Sequence, residues 1–298
     1  ALILAGITVA FFILGHLGVR FVLWPQIEKS KPTLERLMSA RLGAQVTMDA
    51  VQVSWTGIRP SFSIEGLRFN NANTSTPPLF VQNINGQLSW LSFYHLAPYF
   101  HEITFDQVQL YAQRDIKGVV SIAGIPIHSS ADNFATENWL FAQNDIQINN
   151  ARIFWEDQQS RKLKTSIEIQ SAHLNNGIRS HEGQLVAQTP WSQIPIKLQA
   201  NFVHHLAGQA GDWHDWVGSF SWDLADLNLG QISKDLSLPL YDLAGKLNSK
   251  GSLKLDGGKA NGGQMSLTAD QLIVQLNKGE NPLEFGRLET ELVQDTDG

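Results

Sequence analysis

The densest group of side chains able to do chemistry is His204, His205, Asp212, His214 and Asp215. Imidazoles and carboxylates at such close spacing are zinc-ligand types. No His-Glu-x-x-His frame accompanies them, and Gly208, Gly211, Trp213 and Trp216 interleave with them. The segment therefore reads as a surface loop whose histidines hydrogen-bond. Glu156 and Asp157 have the types of an acid–base pair, but neighbours in a strand point to opposite faces. There is no Gly-x-Ser-x-Gly, no P-loop and no Gly-x-Gly-x-x-Gly after a strand. The absence of cysteine removes disulfides, thiolate metal sites and cysteine nucleophiles. No catalytic residue, metal or cofactor is expected, and the chain does not read as an enzyme.

With the chemistry this thin, the placing of apolar residues carries the reading. Ala1 to Val19 holds no charge, and about 20 apolar residues at ~1.5 Å rise cross ~30 Å of hydrocarbon. Leu2, Leu4, Ile7, Phe11, Phe12, Leu14, Leu17, Phe21 and Trp24 are the expected membrane anchor. Arg20 can snorkel to the headgroups, Trp24 suits the interface, and Pro25 breaks the helix. A cleaved signal peptide would have a shorter apolar core. Lys29, Lys31, Arg36 and Arg41 follow the span, but charge on one flank does not decide orientation.

Gln26 to Leu42 reads as an amphipathic helix, with Leu34, Leu37, Met38 and Leu42 on one side and Gly43 as its stop. Its apolar side is expected to pack on the first strands; lying on the membrane surface is the alternative. From Ala44 the apolar period becomes two, in short runs bounded by Gly, Asn, Pro or Asp. About 15 mostly antiparallel strands are expected, including one at Trp139–Phe141. One pattern recurs: alternating apolar residues, a step of three, then alternation again. It is read in Ile103–Leu110 (step Phe105 to Val108), Ile146–Ile153 (Ile148 to Ala151), Ile167–Leu174 (Ile169 to Ala172) and Phe220–Leu227 (Trp222 to Ala225). A bulge would make that step and keep the apolar residues on one face.

The 298 residues carry a net charge of −6, with no basic arm, which gives no support for nucleic-acid binding. Three segments are expected: an anchor at 1–24, a juxtamembrane amphipathic helix at 25–43 and a β domain at 44–298. A sheet with an apolar face must bury it. Periodicity alone leaves three solutions open: closure as a sandwich or barrel, cover by another protein, or lipid in a curved sheet.

A family resemblance enters on particular residues. They are the N-terminal apolar span leading into Pro25, Leu34-Glu-Arg-Leu37 with Leu42-Gly43, Val46 to Val51, Trp55-Thr-Gly57, Pro60-Ser-Phe62, Ile64 to Phe69, Trp139, Ile146 to Ile153, Trp155-Glu-Asp157 and Trp216 to Phe220. The arrangement resembles the N-terminal part of YhdP-type proteins of the AsmA-like superfamily, more distantly related to TamB. The resemblance implies a long, curved, largely antiparallel sheet forming a hydrophobic groove. It also implies single-pass anchoring in a Gram-negative inner membrane with the bulk in the periplasm. The implied function is phospholipid transport between inner and outer membranes, supporting the outer-membrane permeability barrier. The implied partners are glycerophospholipids, the inner membrane, and envelope proteins or further groove segments extending the sheet. The alternative is a non-catalytic periplasmic scaffold or assembly factor with a closed β core.

The expected groove residues are Val46, Phe62, Ile64, Ile103, Phe105, Ile146, Ile148, Ile167, Ile169, Phe220 and Trp222. Fifteen strands at ~4.8 Å would extend the groove about 70 Å. YhdP-type chains are far longer than this one. The start without Met and the uncapped end set the expectation of a fragment, the anchored foot of a longer bridge. A short protein that needs a partner along its last strand is the alternative.

Overall fold

A computed structural model of the chain describes residues 18, 20, 26, 30–70, 77–95, 97–123, 125, 126, 134–159, 163–206, 208–236, 238 and 242–294. The nine expected anchor residues lie outside them. Among the described residues no helix is long and apolar enough to cross a membrane.

Helix α1 spans Lys31–Leu42, with Pro32 in its first turn, where a missing N–H costs nothing. It ends at Gly43, in the left-handed region at φ +66°. Leu34 and Met38 pack against a cluster of Val46, Met48, Val51 and Phe69, so the helix leans on the first strands as its apolar spacing suggests. Leu37 stays exposed.

Strands β1 (Gln45–Thr47), β2 (Ala50–Thr56), β3 (Arg59–Asn70) and β4 (Leu79–Leu88) come next, then the short helix α2 (Leu91–His95). Strands β5 (Phe100–Arg114), β6 (Val120–Ile122) and β7 (Ile125–Pro126) lead to helix α3 (Ala135–Phe141). Then come β8 (Asp145–Asp157), β9 (Leu163–Asn176), β10 (Ser180–Gln188), β11 (Ile196–His204) and β12 (Trp216–Asn228). Helix α4 (Leu229–Leu236) precedes β13 (Asp242–Asp256), β14 (Lys259–Gln275) and β15 (Leu283–Gln294).

All fifteen strands form one sheet, ordered β1-β3-β4-β5-β8-β9-β10-β11-β12-β13-β14-β15. The pairs are antiparallel except β5 with β8. Strands β2, β6 and β7 pair off this path. Twelve strands, not fifteen, therefore set its length, which comes to roughly 50 Å at ~4.8 Å per strand, shorter than expected. The path is open: β15 pairs with β14, and among the described residues it makes no ladder with β1, so the described sheet is not a closed barrel.

The recurring step of three is a row of bulges. Gln107 in β5, Asn150 in β8, Asp226 in β12 and Gln271 in β14 sit at φ between 51° and 54°. Gly66 occupies the same place in β3 at φ +62°, where a side chain would be strained. Each is the second of two residues between apolar neighbours on one face, as in Phe105-Asp-Gln-Val108. In β9 the step falls at Gln170, opposite a register shift in β10. In β12 it falls between Leu224 and Leu227, two residues later than the apolar spacing implied, because Trp222 and Leu224 keep strict alternation opposite Gly251 and Ser249. Bulges bend a strand and raise its twist, so a row of them creases the sheet.

The expected strand at Trp139–Phe141 is helix α3 instead. Long-range side-chain bonds tie this segment to the sheet: the buried Gln143 Oε1 accepts from Phe100 N at 2.8 Å, and Asn138 Oδ1 accepts from Gly211 N at 2.8 Å.

Candidate functional site

The register decides which side chains share a face, because directly opposed residues point the same way. One row runs Phe62, Gly86, Ile103, Ile146, Leu174, Gly183, Ala200, Phe220, Leu253, Gly263 and Gln294. The next runs Ile64, Ile84, Phe105, Ile148, Ala172, Leu185, Leu198, Trp222, Gly251, Met265 and Leu292. The row between them reads Ser63, Asn85, Thr104, Gln147, His173, Gln184, Gln199, Ser221, Ser252, Gln264 and Val293. Apolar and polar rows thus occupy opposite faces over ten strands, β3 to β14 along the path; at β15 one apolar row ends on Gln294 and the polar row on Val293.

All eleven expected groove residues fall on the apolar face. Val46 joins it opposite Phe69, Ile169 opposite Ala151, and Ile167 opposite Ile153. Past the crease the same face continues through Leu67, Val81 and Val108. The bulges are what keep the apolar residues in phase.

Burial along this face is uneven. The two buried clusters lie at the first strands: one is the α1 cluster, and the other holds Val81, Ile84, Ile103 and Ile146. Val46, Ile103 and Ile146 are buried, whereas Phe62, Ile64, Phe105, Ile148, Ile167, Ile169, Phe220 and Trp222 remain partly exposed. From β9 onward neither of these two clusters extends over the rows above, among the described residues.

One margin of the apolar face carries an aromatic cover that the sequence reading missed. Phe141 of α3 stands edge-on to His181 at 5.0 Å, Phe202 at 5.6 Å and Trp216 at 5.4 Å, and Trp216 stacks on Phe202 at 3.7 Å. His181, 1% exposed, has Nδ1 2.7 Å from Asn176 Oδ1. Burial, together with the nearby His204, lowers its pKa to about 4. A lone His in an apolar pattern gave no warning of this. Gly218, where an added Cβ would meet Phe202 Cβ at 2.8 Å, was the available signal, since strand glycines mark close approach.

The polar face is laced by cross-strand ion pairs: Arg152 with Glu168, Lys164 with Glu156 at 3.4 Å, and Lys250 with Asp223 at 3.6 Å. Exposed pairs of this kind are worth ~0–1 kcal/mol each and mainly keep that side wet.

The suspected chemical clusters are dispersed. His204 is buried and stacked on His181, while His205 lies 3.7 Å from Asp215 and His214 hydrogen-bonds Asp212 at 2.9 Å. The His214 hydrogen bond holds the Asp212 carboxyl below its ordinary pKa. No group of three metal-ligand side chains converges among the described residues. Asp157 is buried and paired with Arg114, its Oδ1 accepting from Nε at 3.0 Å, whereas Glu156 points to the other face.

What the arrangement offers is an amphipathic sheet roughly 50 Å long, with an apolar face on one side and a polar face on the other. A family model described as YhdP protein matches residues 1–297. No curated protein matches the chain.

Proposed function

The chain belongs to the YhdP family, and on that premise we propose that it carries glycerophospholipids along the apolar face of its sheet. The proposed setting is the periplasmic side of a Gram-negative inner membrane, with Ala1 to Trp24 as a single-pass anchor. Traffic toward the outer membrane would support the permeability barrier there. The observation that carries the reading is the pair of apolar rows through Ile103 and Phe105, both running from β3 to β14 and left partly exposed from β9 onward.

The physics is that of a solvent substitute. An acyl chain in water costs ~0.8 kcal/mol per methylene, so a dozen methylenes set a barrier of roughly 10 kcal/mol. Side chains such as Ile148, Leu185, Leu198 and Trp222 replace water along the path, and the headgroup stays in solvent at the margin. Contacts of this kind do not discriminate headgroups, and they impose no direction; a gradient or a partner supplies that. The edge of β15, unpaired among the described residues, suits further groove strands or an envelope protein. A closed scaffold is the less favoured reading, because the described sheet path is open and the apolar rows of its second half stay partly exposed away from the aromatic margin.

The test is lipid capture by the full chain. Photo-crosslinking residues at Phe105 and Ile148 should take phospholipid, and the same groups at Thr104 and Gln147 should not. Equal yields from both parities, or none from either, would leave the scaffold standing.

A further inference from the structure

Where the chain leaves the apolar span, one corner of the sheet exposes a patch without an assigned role. The β2–β3 turn carries Ile58, 59% exposed, and the β4–β5 connection carries Leu91 at 52%, Phe93 at 36% and Tyr94 at 82%. Ser61 pairs with Gln87, so the turn and α2 project from the same margin, side by side. The rings are linked: Trp55 to Trp90 at 6.4 Å and Trp90 to Phe93 at 5.3 Å. Arg20, at the end of the apolar run, holds its guanidinium 5.5 Å above the Trp55 ring. Arg59 adds a second cation with no ion pair among the described residues.

We propose that Ile58, Arg59, Trp90, Leu91, Phe93 and Tyr94 form a docking surface that seats in the headgroup region of a phospholipid bilayer. The occupant is set by continuity. Arg20 follows nineteen uncharged residues and reaches the headgroup level, so the ring it covers stands at that level too. Aromatic rings, aliphatic side chains and arginine together have the composition of a membrane interface. A partner protein would not need the patch to sit beside the emerging span. The seat would hold the first strands of the trough against the lipid surface. This rests on the anchored-chain reading above.

The chain lacks cysteine, so single cysteines can be labelled with an environment-sensitive dye in the full chain. Tyr94→Cys reports the patch and Phe12→Cys the span. Ile178→Cys reports the β9–β10 turn, on the same margin but several strands away. In vesicles of phosphatidylethanolamine and phosphatidylglycerol, spin-labelled lipid should cut emission at residue 94 about twofold, as for a side chain ~5–10 Å into the interface. Residue 178 should be unaffected. Quenching at 12 with none at 94 overturns the docking surface alone. No quenching at 12 overturns the anchor and the seat together. An Ile58→Asp/Leu91→Asp variant should return residue 94 to water while residue 12 stays quenched; unchanged quenching at 94 would also count against the seat.

Discussion

Trp222 lies across Gly251, its partner on the neighbouring strand: a Cβ at residue 251 would stand 2.5 Å from Trp222 Cζ2. Phe62 lies over Gly86 in the same way, its Cζ 2.5 Å from the position of the missing Cβ. Two of the large rings on the apolar face are therefore seated on bare backbone. At Gly251 the added Cβ would also meet Gln264 O at 2.7 Å, which ring movement cannot relieve. Gly251→Ala should cost about 1–3 kcal/mol in urea unfolding, and Gly86→Ala less, because there the Phe62 ring alone must move. Equal losses would mean that the backbone contact does not matter.

A charge on the apolar face should end lipid capture without unfolding the sheet. Ile148 is only partly buried, so Ile148→Asp leaves its carboxylate in water when the trough is empty. Occupied, the trough would have to desolvate it. Phospholipid recovered with the full chain should fall severalfold, while Gln147→Asp on the polar face leaves it unchanged. Equal recovery from both variants would remove the face from consideration.

The bulge row gives a test of the crease. Asn150 holds φ +53°, which costs an ordinary side chain about 1–2 kcal/mol and a β-branched one more. Asn150→Val should lower the urea midpoint accordingly, and Asn150→Gly should hold or raise it. A neutral Asn150→Val would indicate that the strand simply straightens.

Much of this sheet was written in local sequence. The step of three is visible because bulges preserve facial phase, and Phe105-Asp-Gln-Val108 displays both sides of that bargain: a polar residue where φ turns positive and an apolar one where the face resumes. The slip in β12 was misplaced because Trp222, Leu224, Ala225 and Leu227 are all apolar or small, and only the partner strand shows which of them keep step. Helix α3 was invisible for a different reason. Its Trp139 and Phe141 look like strand residues, and the side-chain bonds that tie the segment down reach Phe100 and Gly211, far along the chain. The parallel β5–β8 pair likewise follows from the long excursion through β6, β7 and α3, which no local pattern marks. The chain's resemblance to its family was carried by Gly and Trp positions, several of which line the face.

The edge of β1 is latched rather than left open. Glu35 Oε1 accepts from Met48 N at 2.9 Å, and Ser39 Oγ accepts from Val46 N at 2.9 Å. Both N–H groups would otherwise be free to recruit another strand. Glu35→Ala should cost about 1.5–3 kcal/mol, the range for a hydrogen bond to a charged group, and should promote self-association. Sedimentation velocity reads the second effect. A destabilised variant that stays monomeric would assign Glu35 to stability alone.

Acid should loosen the aromatic cover first. His181 is buried among Phe141, Phe202 and His204, and its Nε2 has no hydrogen-bond partner among the described residues. Its pKa lies at about 4 in the fold, against an ordinary value of 6.5. Between those values the unfolded chain binds a proton that the folded chain refuses, so stability falls as pH drops through that window. The Asp49, Asp145 and Asp212 carboxyls are shifted below 3.8 and act at lower pH. They leave the window to histidine. The urea midpoint should therefore decline from pH 7 to pH 5, and His181→Phe, which keeps a ring against Phe202, should flatten that decline even if it lowers the midpoint at pH 7. An unchanged slope in His181→Phe would remove His181 as the source of the acid sensitivity.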